Sequence, residues 1–272
     1  MKNKVKICAH PWAYAAKMPG YDVYPILDQI FADYKRGGFD GIELMHNVFT
    51  HDDAVGKIAA LSARYALPVI GSSWGGNTWK REEEEEAQVM ASAEKTVAAL
   101  KKLGAHTLGT STGSKPGAKK TAEELDAQAA TLRRIIALCE ANGITLNLHN
   151  HTYEAKDNEY EIKAMIERIP GVKLGPDLNW LRRAGVDPND FLRRNAKRIA
   201  FLHIRDQKGD KWVEALGEGD TDYVELARVL DAIDFKGEAC IELAHERDTV
   251  FTRTMGDNFA LSCMNLRKAF GL

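Results

Sequence analysis

A chain of 272 residues exceeds the usual single domain but suits an eight-unit barrel of about 250 residues, and it is long enough to bury a full core without staples. Apolar residues make up 44% and charged residues 28%, with a formal net charge of −2 and no basic block. That balance excludes a general nucleic-acid binder, which clusters Lys and Arg to displace counterions.

The elements follow one another as a repeated phrase of β-rich run, polar loop, amphipathic helix and Gly or Pro break. The first strand is expected at residues 4–10 ("KVKICAH"), followed by a helix over 25–38. Strands at 41–46, 68–74 and 106–111 alternate with helices at 54–66, 84–104 and 122–143. Strands at 144–151 and 172–179 alternate with helices at 159–170 and 188–198. The last two units pair strands at 199–206 and 239–245 with helices at 223–233 and 256–270. Thr121 and Glu124 have capping-box spacing, and Asp187-Pro188 puts an N-cap before a first-turn proline. Gly104 and Gly143 fall at expected helix ends. The run Glu82 to Glu86 reads as a solvated helix start.

Strict βα alternation implies a parallel sheet, and eight units imply closure. The predicted fold is an α/β (β/α)8 TIM barrel occupying residues 1–272 as a single domain. Cys8, Cys139, Cys240 and Cys263 form no C-x-x-C pair and read as reduced core thiols of a cytoplasmic protein. The N-terminal "MKNKVKICAHPW" holds no run of signal-peptide length, and no segment has 18 consecutive apolar residues, so no membrane partner is expected.

Barrel active sites lie at the C-terminal ends of the strands, and period-two alternation says which side chains face the axis. In "ITLNLHNH" the apolar Ile144, Leu146 and Leu148 face the helices, while Asn147, His149 and His151 face inward. The same reading turns Glu43, Asp177, His203, Arg205 and Glu242 inward. A lone inward histidine is usually a satisfied core residue. Glu43, His149, Asp177, His203 and Glu242, each from a different strand, meet at one mouth and require neutralisation, and a divalent cation supplies it. A mixed nitrogen and oxygen set suits Mn, Co, Fe or Zn, and Mg less well.

Such an ion polarises a carbonyl and stabilises a cis-enediolate after proton removal at the neighbouring carbon. Glu242 is the first candidate base and His151 the second acid/base. Glu43 and Arg205 are expected substrate contacts. Trp12, Trp74 and Trp180 lie near strand ends, where aromatic faces suit the C–H surface of a sugar, and His10 and His46 widen the polar ring. Glu154 is expected to bond its neighbours just past the strand. The Gly-rich segment 206–221, centred on Trp212, reads as a lid.

The stretches "LHNHTYE", "GPDLNWLRRAGVDP", "RIAFLHIRDQ", "LGEGDTDYVEL" and "CIELAHE" resemble the sugar phosphate isomerase/epimerase family of xylose-isomerase-like barrels. The resemblance covers most of the chain and is strongest from about residue 143 onward. It implies one divalent ion, commonly manganese, held by His149, Asp177, His203 and Glu242, with His151 off the metal and facing substrate. Ketohexose epimerases of the family carry glutamate where this chain has His149, and histidine where it has Trp180. Those departures point to the subgroup acting on keto-inositols and keto-glycosides.

The implied activity is a metal-dependent sugar isomerase or epimerase. A dehydratase or lyase running through the same enediolate is the alternative, and the leaving group decides between them. The endonucleases that share this barrel use three zinc ions and a basic face, which this chain lacks. The implied partners are a small sugar or keto-sugar and a second copy of the chain.

Overall fold

Apolar–polar alternation becomes a ring of parallel strands in the computed structural model, which describes residues 5–272. Lys4, where the first predicted strand begins, and the leader reading of residues 1–4 lie outside the described residues. The barrel strands are β1 (Lys6–Ala9), β2 (Gly41–Met45), β3 (Val69–Gly75), β4 (Thr107–Ser111), β5 (Thr145–Leu148), β6 (Lys173–Leu174), β7 (Phe201–Ile204) and β10 (Glu238–Ile241). A small antiparallel pair, β8 (Gln207–Lys208) and β9 (Lys211–Trp212), lies between the last two.

The ladder runs β6-β5-β4-β3-β2-β1-β10-β7. Parallel bridges from Leu174 to Ile199 and from Asp177 to His203 join its two ends. Each strand is short, so closure depends on all eight.

The helices are α1 (Trp12–Ala15), α2 (Leu27–Arg36), α3 (Ala54–Tyr65), α4 (Glu83–Leu103), α5 (Ala122–Glu140), α6 (Thr152–Arg168), α7 (Leu178–Arg183), α8 (Pro188–Arg194), α9 (Tyr223–Ala232) and α10 (Met255–Phe270). The large core lies between the strands' outward apolar residues and these helices, with Ile42, Leu44, Leu146, Leu202 and Ile241 among its members. Inside the barrel a lower layer of Cys8, Ile70, Phe201 and Cys240 is apolar, so the interior is filled below the mouth. All four cysteines are free and buried. No helix among the described residues is long and apolar enough to cross a membrane.

The expected capping box closes α5, with Thr121 N donating to Glu124 Oε2 at 2.7 Å and Glu124 N to Thr121 Oγ1 at 3.3 Å. Asp187 caps α8 through Asp190 N at 2.9 Å.

Three expectations change. The fifth strand ends at Leu148, and His151 is instead the N-cap of α6, which begins earlier than expected and is broken by an extended Lys156 and the left-handed Asp157, Asn158 and Glu159. The sixth strand is only two residues long because Pro176 has no N–H to donate and Asp177 caps α7, a helix the period-two reading missed. The segment after β7, read from the sequence only as a Gly-rich lid, carries the β8–β9 hairpin.

Candidate active site

β5, β7 and β10 each deliver one group to a common point. His149 follows the end of β5, where its backbone N–H still bonds to Thr110 O at 3.0 Å. His203 lies inside β7, and Glu242 follows β10. The facing nitrogens His149 Nδ1 and His203 Nδ1 are 2.8 Å apart, and His203 Nδ1 is 3.7 Å from Glu242 Oε2. These three side chains offer ligand atoms all within 4.8 Å of one another.

The other ring nitrogen of His203 is 2.5 Å from Glu43 Oε2. A carboxylate only accepts, so Nε2 carries a proton and Nδ1 is the nitrogen turned to the mouth. Burial alone would lower the His203 pKa, but Glu43 and Glu242 outweigh it and hold the group at about 9. His149 goes the other way: burial first, then the positive His203, keeps it neutral. An imidazole lone pair thus faces an imidazolium N–H, with a carboxylate alongside. This donor set fits a divalent cation, which binds such sites by displacing the proton.

Asp177 reaches the same end of the barrel but stands outside the trio. Its Oδ1 accepts the Asn179 and Trp180 N–H groups, each at 3.0 Å, and so caps α7. Its Oδ2 takes Arg205 Nε at 2.6 Å. Arg205 also reaches Glu242 Oε1 at 2.8 Å, so one buried guanidinium clamps two carboxylates. Burial would raise the Glu242 pKa, but Arg205, His10 and His203 outweigh it and hold the group below the usual carboxylate range.

Three of the expected substrate contacts are placed elsewhere. Glu43 is fully buried, bonded to His203 on the far side from His149, with Oε1 lacking a partner. His10 is buried too. Its Nδ1 accepts the Trp12 N–H at 3.2 Å and lies 3.5 Å from Glu242, while Nε2 bonds Ser73 Oγ at 2.9 Å, so it props Glu242 from behind. Trp74 follows the inward Ser73 on β3 and therefore turns outward, where its Nε1 donates to Ser92 of α4 at 3.1 Å.

Trp12 is half-buried and stacks on Tyr21 with centroids 5.4 Å apart. Trp180 is half-buried next to His151, at 6.1 Å, and Trp212 from the hairpin meets it edge-on at 5.4 Å. His46 packs edge-on against Trp74.

His151 stands apart from the trio, its ring 4.9 Å from that of His149 and its side chain 37% exposed. Burial, then Arg205, lowers its pKa, so it is a neutral imidazole at the rim. Its backbone N–H donates to Glu154 Oε2 at 2.7 Å, and its Nδ1 lies 3.3 Å from Ser111 Oγ. Ser111 also meets Tyr153, whose ring stacks on His151. Burial pushes Glu154 up to about 8. Behind it the fully buried Lys120 bonds Thr112, Gln128 and Glu161.

Sequence reasoning passed over Ser111, Tyr153, Arg183 and Asp206. The buried Asp206 carboxylate collects the N–H groups of Gln207, Gly217, Gly219 and Thr221. A Cβ on Gly219 would stand 2.3 Å from Asp206 Oδ1, so the "GEG" motif exists to wrap backbone around that carboxylate. The adjacency of an aspartate and a G-x-G was the available signal. Arg183 left none.

The chain matches the family profile described as "Xylose isomerase-like TIM barrel" over residues 31–260. Among curated proteins it is similar to the rhizopine catabolism protein MocC of Rhizobium meliloti, 24% identical over 220 residues, covering 76% of this chain. The matched region spans 65% of the length of that relative. Among solved structures it is similar to an L-ribulose 3-epimerase, with a TM-score of 0.78, 19% identity and coverage of 98% of this chain and 95% of that one. It is likewise similar to a 3-keto-D-glucoside 4-epimerase from E. coli, with a TM-score of 0.73, 18% identity and coverage of 97% and 100%.

Proposed function

We propose, from the premise that the chain belongs to the xylose isomerase-like TIM barrel family, that it is a divalent-metal-dependent isomerase or epimerase of a small keto-sugar. The observation that carries this reading is the convergence of His149, His203 and Glu242 at the C-terminal mouth, with the two Nδ1 atoms 2.8 Å apart. In this reading these three hold the ion, Asp177 is the fourth ligand, and Mn2+ suits the mixed donor set. When bound, the ion supplies a Lewis acid toward a carbonyl and its neighbouring hydroxyl.

The chain's own groups do the rest. Glu242 is kept ionised by Arg205 and is able to accept the proton α to the carbonyl. His151 is neutral, partly open to the mouth and outside the trio, so it is the second proton carrier. Arg205 fixes the orientation of Glu242 and Asp177, and Trp180 and Trp212 wall the mouth against water. The epimerases among its structural neighbours support the reading by analogy of fold. Four buried free thiols suit a reducing cytoplasmic setting.

The test is deuterium wash-in from D2O into a panel of keto-sugars and keto-inositols with added Mn2+, followed by product analysis. Metal-dependent exchange at the carbon next to the carbonyl with recovery of an isomer or epimer is the expected result. Loss of water or another leaving group would make it a lyase, and absence of exchange across the panel would remove the enzymatic reading.

A further inference from the structure

The mouth holds two arginines in opposite circumstances. Arg205 is neutralised by Asp177 and Glu242. Arg183, from α7, has no ion pair with a carboxylate among the described residues. Its Nε donates to Gln207 Oε1 at 2.8 Å and its Nη2 to the Asp210 carbonyl at 2.9 Å. Those bonds use two of the five N–H groups of a guanidinium. The cation lies over Trp212, 3.6 Å from the ring centroid, and 5.4 Å from the Trp180 ring. Burial lowers its pKa, and the more distant carboxylates of Glu246, Asp210 and Asp177, none of them in ion-pair contact, offset this only in part. Beside it the Trp180 Nε1–H is buried without a partner.

A half-buried cation lacking a carboxylate, next to an orphaned N–H donor, is costly unless a ligand completes it. Both groups adjoin His151 through Trp180, so the ligand that completes them is one lying in the mouth. Arginine's planar fork matches a carboxylate or phosphate group.

We propose that Arg183 and the Trp180 indole N–H form an anion subsite at the rim of the mouth, and that the substrate is a keto-sugar bearing a carboxylate or phosphate remote from its reacting carbonyl. The substrate class rests on the proposed function; the subsite itself does not. The competing role for Arg183 is a latch, tying α7 to the β8–β9 hairpin through Gln207 and Asp210.

The test is a titration of intrinsic fluorescence, to which Trp180 and Trp212 contribute, with D-fructose, D-fructuronate and D-fructose 6-phosphate. It is run on metal-free and on Mn2+-loaded protein. At least one anionic sugar is expected to bind about tenfold or more tightly than fructose, with the preference weakening in salt. Fructuronate ahead of the phosphate ester assigns a carboxylate, and the reverse order a phosphate.

Arg183→Met should bring the three sugars to parity. Gln207→Ala, which loosens the latch but keeps the cation, should preserve the preference. Equal binding of all three by the unaltered protein overturns the proposal, as does a preference that survives Arg183→Met or is lost equally in Gln207→Ala. An anion preference, together with no deuterium exchange by the Mn2+-loaded protein, would leave the subsite standing while the isomerase reading failed.

Discussion

Glu242 and Glu154 are both buried glutamates at the same barrel mouth, yet they are driven in opposite directions. On the β7–β10 side, Glu242 meets Arg205 at 2.8 Å and has His203 at 3.7 Å, and these positive neighbours keep it ionised. On the β4–α6 side, Glu154 receives the His151 N–H and the hydroxyls of Ser111 and Thr112, with no Lys or Arg in direct contact among the described residues. Lys120, the nearest candidate, is itself claimed by Glu161 at 2.7 Å. Burial is common to both glutamates, so the neighbouring charge decides. One side of the mouth is thereby equipped for a metal or an acceptor of protons, the other for a fixed neutral scaffold beneath His151.

The largest effect that would sharpen this contrast lies at His151. His151→Asn should lower turnover by about 10²–10⁴-fold, the usual worth of a general acid/base, while metal analysis finds Mn2+ unchanged. His149→Asn should empty the site instead. If the two variants exchange these outcomes, the two histidines have been assigned the wrong way round.

Arg205→Met strips the cation from Glu242 and Asp177 and leaves two buried carboxylates uncompensated. Urea denaturation should show a loss of about 3–5 kcal/mol. A loss below about 1 kcal/mol would mean that the clamp does not distinguish the two sides.

Glu43→Gln should weaken Mn2+ binding by about 10–100-fold with little change in fold, because Glu43 fixes which His203 nitrogen faces the mouth. Calorimetric titration of both proteins with Mn2+ reads this directly, and equal affinity would break the argument.

The smallest effect belongs to Glu154. Its folded pKa of about 8 lies above the unfolded value of about 4.3, so its contribution to stability is fully present below about pH 4.3. As pH rises toward 8 the unfolded chain is ionised first, and stability is lost across that window. Glu154→Gln should therefore gain on the unaltered protein progressively as pH rises from about 4.3 to about 8, and level off above that. Parallel stability curves from pH 4 to 9 would show that Glu154 is not held neutral.

Much of this architecture was legible beforehand. Alternation in "ITLNLHNH", "IAFLHIRD" and "ACIELAH" placed Asn147, His203 and Glu242 on the axis side, and it is those faces that meet inside the barrel. Nearness to a strand end, and not alternation, is what offered Trp74 as a sugar-stacking face, and its inward neighbour is Ser73. Past Leu148 the rule had no strand to act on, and a helix cap set the position of His151. Arg183 sits on a short helix whose hydrophobic pattern spans too few residues to be read.

By itself the sequence determined the repeating βα order, the inward face of each strand and the caps on α5 and α8, because these are set by periods and spacings within about ten residues. Only the tertiary structure decided which inward group stands above which. Between Ile42 and Glu43 the pairing of β2 with β3 slips by one residue, and Glu43 lies against His203 Nε2. The same three-dimensional placement gave Arg205 ion pairs with two carboxylates and Arg183 no ion pair among the described residues. Height along the barrel and the sign of the nearest charge depend on strand register around the closed ring, a relation between segments far apart in the chain.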